Sequence, residues 1–136
     1  MESLGDLLMG AARGLRREYA TASAAWQVTP GKVRGLRIIC HEGPIRLSAL
    51  AETLGIVPRS ATEVVDTLEA LGHVAREADP ADRRATRVAA TAEGQRVLVL
   101  IEAARAEASE RYFARLAPEE RAQLEHVLTR LAQLVS

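Results

Sequence analysis

Gly55 constrains this chain most, because it interrupts two runs of helical periodicity that would otherwise merge. Before it, Leu47, Leu50, Ala51 and Leu54 recur at the i, i+3, i+4, i+7 spacing of an amphipathic helix, with Ser48 placed as N-cap. A residue without Cβ at position 55 allows the left-handed conformation that ends many helices, and Pro58 suits the first position of the next. That second helix keeps Ala61, Val64 or Val65, Leu68 and Leu71 on one face, leaving Arg59, Ser60, Thr62, Glu63, Asp66 and Thr67 elsewhere, and Gly72 closes it. Two short helices joined by a Gly-containing turn form a helix-turn-helix unit, a pattern that ordinary helical hairpins share.

The segment after Gly72 separates the two readings. His73 to Glu77 and Thr86 to Ala90 suit short strands, and the eight residues between them, Ala78 to Ala85, are polar and turn-forming. A β-hairpin with a basic tip directly after a helix-turn-helix is a wing. With LAETLG at 50–55, VVDTLEALGHV at 64–74, DPADRR at 79–84 and TAEG at 91–94, the chain resembles the winged helix-turn-helix regulators of the MarR type. The DPxDRR wing followed by T-x-x-G is the more specific half of that resemblance.

The resemblance implies a mainly α (α+β) fold in a single domain over 1–136. The winged helix-turn-helix would occupy 30–90, and dimerisation helices 1–28 and 92–136. It implies a homodimeric transcription regulator bound to a pseudo-palindromic double-stranded operator, acting as a repressor under a small aromatic or phenolic effector. Pro58, Arg59, Ser60, Thr62 and Glu63 would then face DNA from the second helix, whose amino end offers backbone N–H groups to phosphates or base edges. Arg59 has the fork geometry for guanine, and Ser60 and Thr62 are either contacts or caps. In the wing, Arg83 or Arg84 would reach the minor groove while Asp82 holds the tip through an ion pair. Arg76 and Arg87 would touch the DNA backbone. The chain departs from the family pattern at Val57, Glu63 and Thr67. A carboxylate at 63 accepts from cytosine but repels phosphate, so base specificity does not carry over. Tyr19, Trp26, Arg37 and His41 are the candidates for lining an effector crevice, against plainer roles as core or surface charge.

The flanks supply what such a dimer needs. Leu4, Leu7, Leu8, Ala11, Leu15, Ala22 and Trp26 lie roughly in helical register over residues 2–27, with Ser3 and Asp6 spaced as a capping box. Thr29-Pro30 starts a second helix that Gly43-Pro44 ends, and Thr91 starts another that runs to about Leu116. Pro118-Glu119-Glu120 opens the last, with Leu124, Val127, Leu128, Leu131, Leu134 and Val135 along one side. These helices carry more apolar face than a compact winged domain can cover, which predicts packing against a second copy.

Charge does not itself suggest DNA. Net charge is zero, and residues 43–90 hold six arginines (46, 59, 76, 83, 84, 87) against seven carboxylates (52, 63, 66, 69, 77, 79, 82). Placement has to carry the argument. With aromatics at 3%, the core must be built from Leu, Val and Ala. No apolar run approaches the ~18 residues of a membrane span, and no basic-then-apolar segment opens the chain, so a cytoplasmic protein is expected. The single cysteine, Cys40, excludes an intramolecular disulfide and a multi-thiolate metal site, and its apolar neighbours favour a structural thiol over a sensor. His41, His73 and His126 fall on different elements, and no catalytic motif, cofactor site or metal site is expected. The competing reading is a winged-helix protein-interaction module without DNA specificity of its own.

Overall fold

The computed structural model describes residues 1–135; Ser136, the last residue of the expected 92–136 segment, lies outside the described residues. Helix α1 (Leu4–Ser23) begins with the expected capping box: the Ser3 hydroxyl accepts from Asp6 N–H and the Asp6 carboxylate from Ser3 N–H. It is shorter than the apolar register suggests. The buried Ser23 hydroxyl donates back to Tyr19 O at 2.9 Å, and the chain passes through a 3-10 turn (Ala24–Trp26) to Gln27, whose φ of 61° is left-handed. Thr29 then caps α2 (Pro30–Glu42), whose Val33, Leu36 and Ile39 form the centre of the core.

Between Gly43 and the helix-turn-helix the chain forms a two-residue strand, β1 (Ile45–Arg46), too short to leave any periodic signal. Helix α3 (Leu47–Leu54) follows at once, so its backbone N-cap is Arg46. The expected cap, Ser48, lies inside the first turn and makes no capping bond, because strand pairing of Ile45 and Arg46 sets where the helix starts. Gly55 has φ 69°, and its N–H with that of Ile56 returns to the carbonyls of Glu52 and Ala51. Helix α4 (Pro58–Ala70) buries Ala61, Val65 and Leu68; Val64 and Leu71 are partly covered.

The hairpin strands β2 (Val74–Asp79) and β3 (Asp82–Ala90) are longer than expected, and the turn is only Pro80-Ala81. The sheet order is β1-β3-β2, all antiparallel. Pairing steps directly from Ala78↔Thr86 to Asp79↔Asp82, so Arg83, Arg84 and Ala85 bulge out of the ladder.

Thr91 caps α5 (Ala92–Phe113) and knots the wing to it: its N–H donates to His73 O, its hydroxyl to Gly72 O at 2.7 Å, and the same hydroxyl accepts from Gly94 N–H. A Cβ on Gly94 would fall 1.9 Å from the His73 carbonyl oxygen, which is why the T-x-x-G motif needs glycine. Across α5, α1 is held where Tyr112 lies on Gly14 and donates to Ala11 O at 2.8 Å. Helix α6 (Pro118–Val135) buries no residue: Val127, Leu131, Leu134 and Val135 remain exposed, as do Leu4, Leu7, Leu8 and Met9 of α1. No helix among the described residues is long and apolar enough to cross a membrane.

Candidate nucleic-acid interface

Six arginines and seven carboxylates between 43 and 90 separate once the chain is folded. Arg76 on β2 reaches back to α4, pairing with Asp66 and, at 2.6 Å, with Glu69, whose carboxylate also accepts Arg76 N–H. Arg87 pairs with Glu77 across the hairpin. Arg46, at the head of α3, pairs with Asp79 at the wing tip at 2.7 Å. These bonds hold Glu69 and Asp79 below the usual carboxylate range; for each the largest cause is a backbone N–H, from Arg76 and Ala81 respectively, followed by the guanidinium.

What remains is a short set of free cations. Arg59 and Arg83 are exposed and have no side-chain partner among the described residues, and Arg84, 98% exposed, has only a long 3.9 Å contact to Asp82. Arg76 and Arg87, expected to touch DNA, each hold ion pairs that fix the wing. The tip is held by Asp79, which accepts Ala81 N–H at 2.8 Å and binds Arg46, while Asp82 mainly accepts Arg84 N–H at 3.1 Å. Asp79 was legible in the sequence only as part of DPADRR; its partner lies 33 residues away.

On α4, Pro58 occupies the first position, after an uncapped Val57. Ser60 and Ala61 N–H both return to Val57 O, so the amino end offers the single N–H of Arg59 rather than a cluster. Thr62 donates its hydroxyl to Pro58 O, whereas the Ser60 hydroxyl has no partner among the described residues. Ser60 and Glu63 line a cleft of about 330 Å3 with Thr29, Lys32, Arg34 and Ile56. Lys32 therefore lines the same cleft as the carboxylate that breaks the family pattern.

Of the four crevice residues, Tyr19 and Arg37 are brought together and Trp26 and His41 are not. Arg37 binds Glu102 at 2.6 Å, and with Tyr19 and Arg105 they line a cleft of about 420 Å3 between α1, α2 and α5. Trp26 packs against the core, and His41 is exposed on α2; neither lines that cleft. Cys40 lies half-buried against the core, and burial pushes its thiol up, away from thiolate chemistry. Among the described residues no three His, Cys, Asp or Glu side chains gather as a metal site.

Residues 28–86 match the model of the MarR family. A putative transcriptional regulatory protein for the hcr operon of Thauera aromatica is 34% identical over 116 residues, covering 85% of this chain and 70% of that protein. Among solved structures, the transcriptional repressor CouR bound to a 23-mer DNA duplex is similar with a TM-score of 0.82 at 25% identity, over 96% of this chain and 92% of that one. A Mycobacterium tuberculosis MarR family protein in complex with salicylic acid is similar with a TM-score of 0.76 at 27% identity, over 96% of this chain and 97% of that one.

Proposed function

The chain belongs to the MarR family of DNA-binding transcription regulators, and from that premise we propose that it works as a homodimeric, effector-responsive repressor of an inverted-repeat operator. One observation carries this reading: the ion pairs that lock β2 to α4 and the wing tip to α3 use up much of the internal charge, leaving Arg59 and Arg83 without a side-chain partner among the described residues and Arg84 with only its long contact to Asp82. Unpaired guanidinium groups on a rigid frame suit phosphate and guanine edges, with Arg59 reading a base and the wing pair entering the minor groove. Ser60, Thr62 and Glu63 complete the face of α4. The exposed apolar sides of α1 and α6 support a twofold pairing of copies, and CouR, a repressor seen on duplex DNA, supports the docking mode. The salicylate complex of the mycobacterial relative supports an effector. Repression fits because a dimer seated across a promoter excludes polymerase without further contacts.

Selection from random duplexes followed by footprinting tests this. The expected product is an inverted repeat with half-site centres about 10 bp apart, one helical turn of ~34–36 Å. An unrepeated site bound by a monomer would overturn the proposal.

A further inference from the structure

Six arginines converge on one cleft of about 710 Å3: Arg13, Arg16 and Arg17 of α1, Arg34 and Arg37 of α2, and Arg105 of α5. Its remaining lining is Ala20, Pro30 and Gly31, so no carboxylate and no aromatic ring forms its wall. The neighbouring Glu102 is already bound to Arg37, and Arg13, Arg16 and Arg17 have no side-chain partner among the described residues. Arg105 is the least satisfied. Its guanidinium stacks 4.2 Å above the Tyr19 ring, its Nε is buried without a hydrogen-bond partner, and burial together with the nearby Arg37 charge disfavours its cation. A buried donor left unbonded is costly, and like charges gathered on one concave wall repel.

We infer that this cleft takes a small polyanion, a ligand carrying two or more carboxylate or phosphate groups, which rests on the reading of the chain as an effector-responsive regulator. A single carboxylate on an aromatic ring would neutralise one or two of the six guanidinium groups and find no ring to stack on. Several oxyanions answer the charge, and arginine binds such groups through paired N–H donors. Arg34 ties the cleft to the DNA-reading unit: it donates to Leu54 O at 3.0 Å and Thr53 O at 3.3 Å, the last carbonyls of α3, and also lines the smaller cleft beside Ser60 and Glu63. An anion drawn to Arg34 competes with those carbonyls at the turn before α4.

The test is thermal unfolding of the full chain at constant ionic strength with pyrophosphate, citrate, or salicylate. Pyrophosphate or citrate should raise Tm by roughly 5–10 °C at saturating concentration, and salicylate by far less. The citrate and pyrophosphate arms separate a carboxylate ligand from a phosphate one. Arg13→Ala/Arg17→Ala should abolish the shift, whereas Arg83→Ala/Arg84→Ala, which removes equal charge from the wing, should keep it. Equal loss in both variants, equal stabilisation by salicylate, or no stabilisation of the parent protein overturns the inference. So does an Arg13→Ala/Arg17→Ala protein that sediments as a monomer, since those arginines would then serve the contact between copies. Gel shift of the same preparation separates the two proposals. Duplex binding without polyanion stabilisation sinks this inference alone, and stabilisation without duplex binding upholds the cleft while sinking the regulator reading.

Discussion

Arg59, without a side-chain partner among the described residues, and Arg84, with only a 3.9 Å contact to Asp82, should fail differently. Arg84→Ala is expected to weaken binding to every duplex by a similar factor and to lower the salt slope by about one, since a phosphate or minor-groove contact releases counterions without reading a base. Titration by fluorescence anisotropy at several salt concentrations checks this, and a sequence-dependent loss would refute it. Arg59→Ala should instead relax preference at one position of each half-site, at roughly 1–3 kcal/mol, measured on duplexes permuted at single positions. Gly94 makes a different demand. Because its missing Cβ is occupied by the His73 carbonyl, Gly94→Ala must push the start of α5 away from the wing, and chemical denaturation should show a loss of about 1–3 kcal/mol. The glycine was visible in the sequence as part of TAEG; the carbonyl that forbids a side chain was not, since 21 residues separate them.

At the level of elements, the wing is fixed less by its own strands than by what they bind. Arg76→Ala removes the tie from β2 to α4, so amide exchange in β2 and β3 should quicken while α3 and α5 keep their protection. The same tie should loosen in acid. Glu69 has a depressed folded-state value, so its contribution is complete above the ordinary 4.5 and disappears as pH falls through the lower folded value. Exchange followed downward from pH 6 should therefore show the parent wing approaching the Arg76→Ala wing only after pH has dropped below 4.5. Hairpin existence was legible from alternating residues and DPADRR, but strand length was not. Residues 82–85 read as loop by composition, but Asp82 joins the strand by pairing with Asp79, and Arg83, Arg84 and Ala85 form the bulge between that pair and Ala78↔Thr86.

For the whole molecule, the exposed apolar rows on α1 and α6 are expected to meet their copies. Leu131→Glu should shift sedimentation toward monomer and lower operator affinity by more than tenfold, whereas Arg84→Ala should leave the dimer intact. An Leu131→Glu protein that remains dimeric would place the interface elsewhere.

Sequence alone determined the order of helices, the capping of α1 and α2 by Ser3 and Thr29, the start of α5 at Thr91, the stop at Gly55 and the presence of a basic wing. Each of these depends on residues within a few positions of one another, where periodicity and cap chemistry act directly. Tertiary structure decided which charges are spent and which are free. The pairs Arg46 with Asp79, Arg76 with Asp66 and Arg37 with Glu102 join positions 33, 10 and 65 apart, and the arginine cleft draws on three helices. Composition showed zero net charge and therefore no nucleic-acid signal. Only folding, by bringing distant opposite charges into contact, leaves the remaining guanidinium groups exposed where a phosphate backbone can reach them.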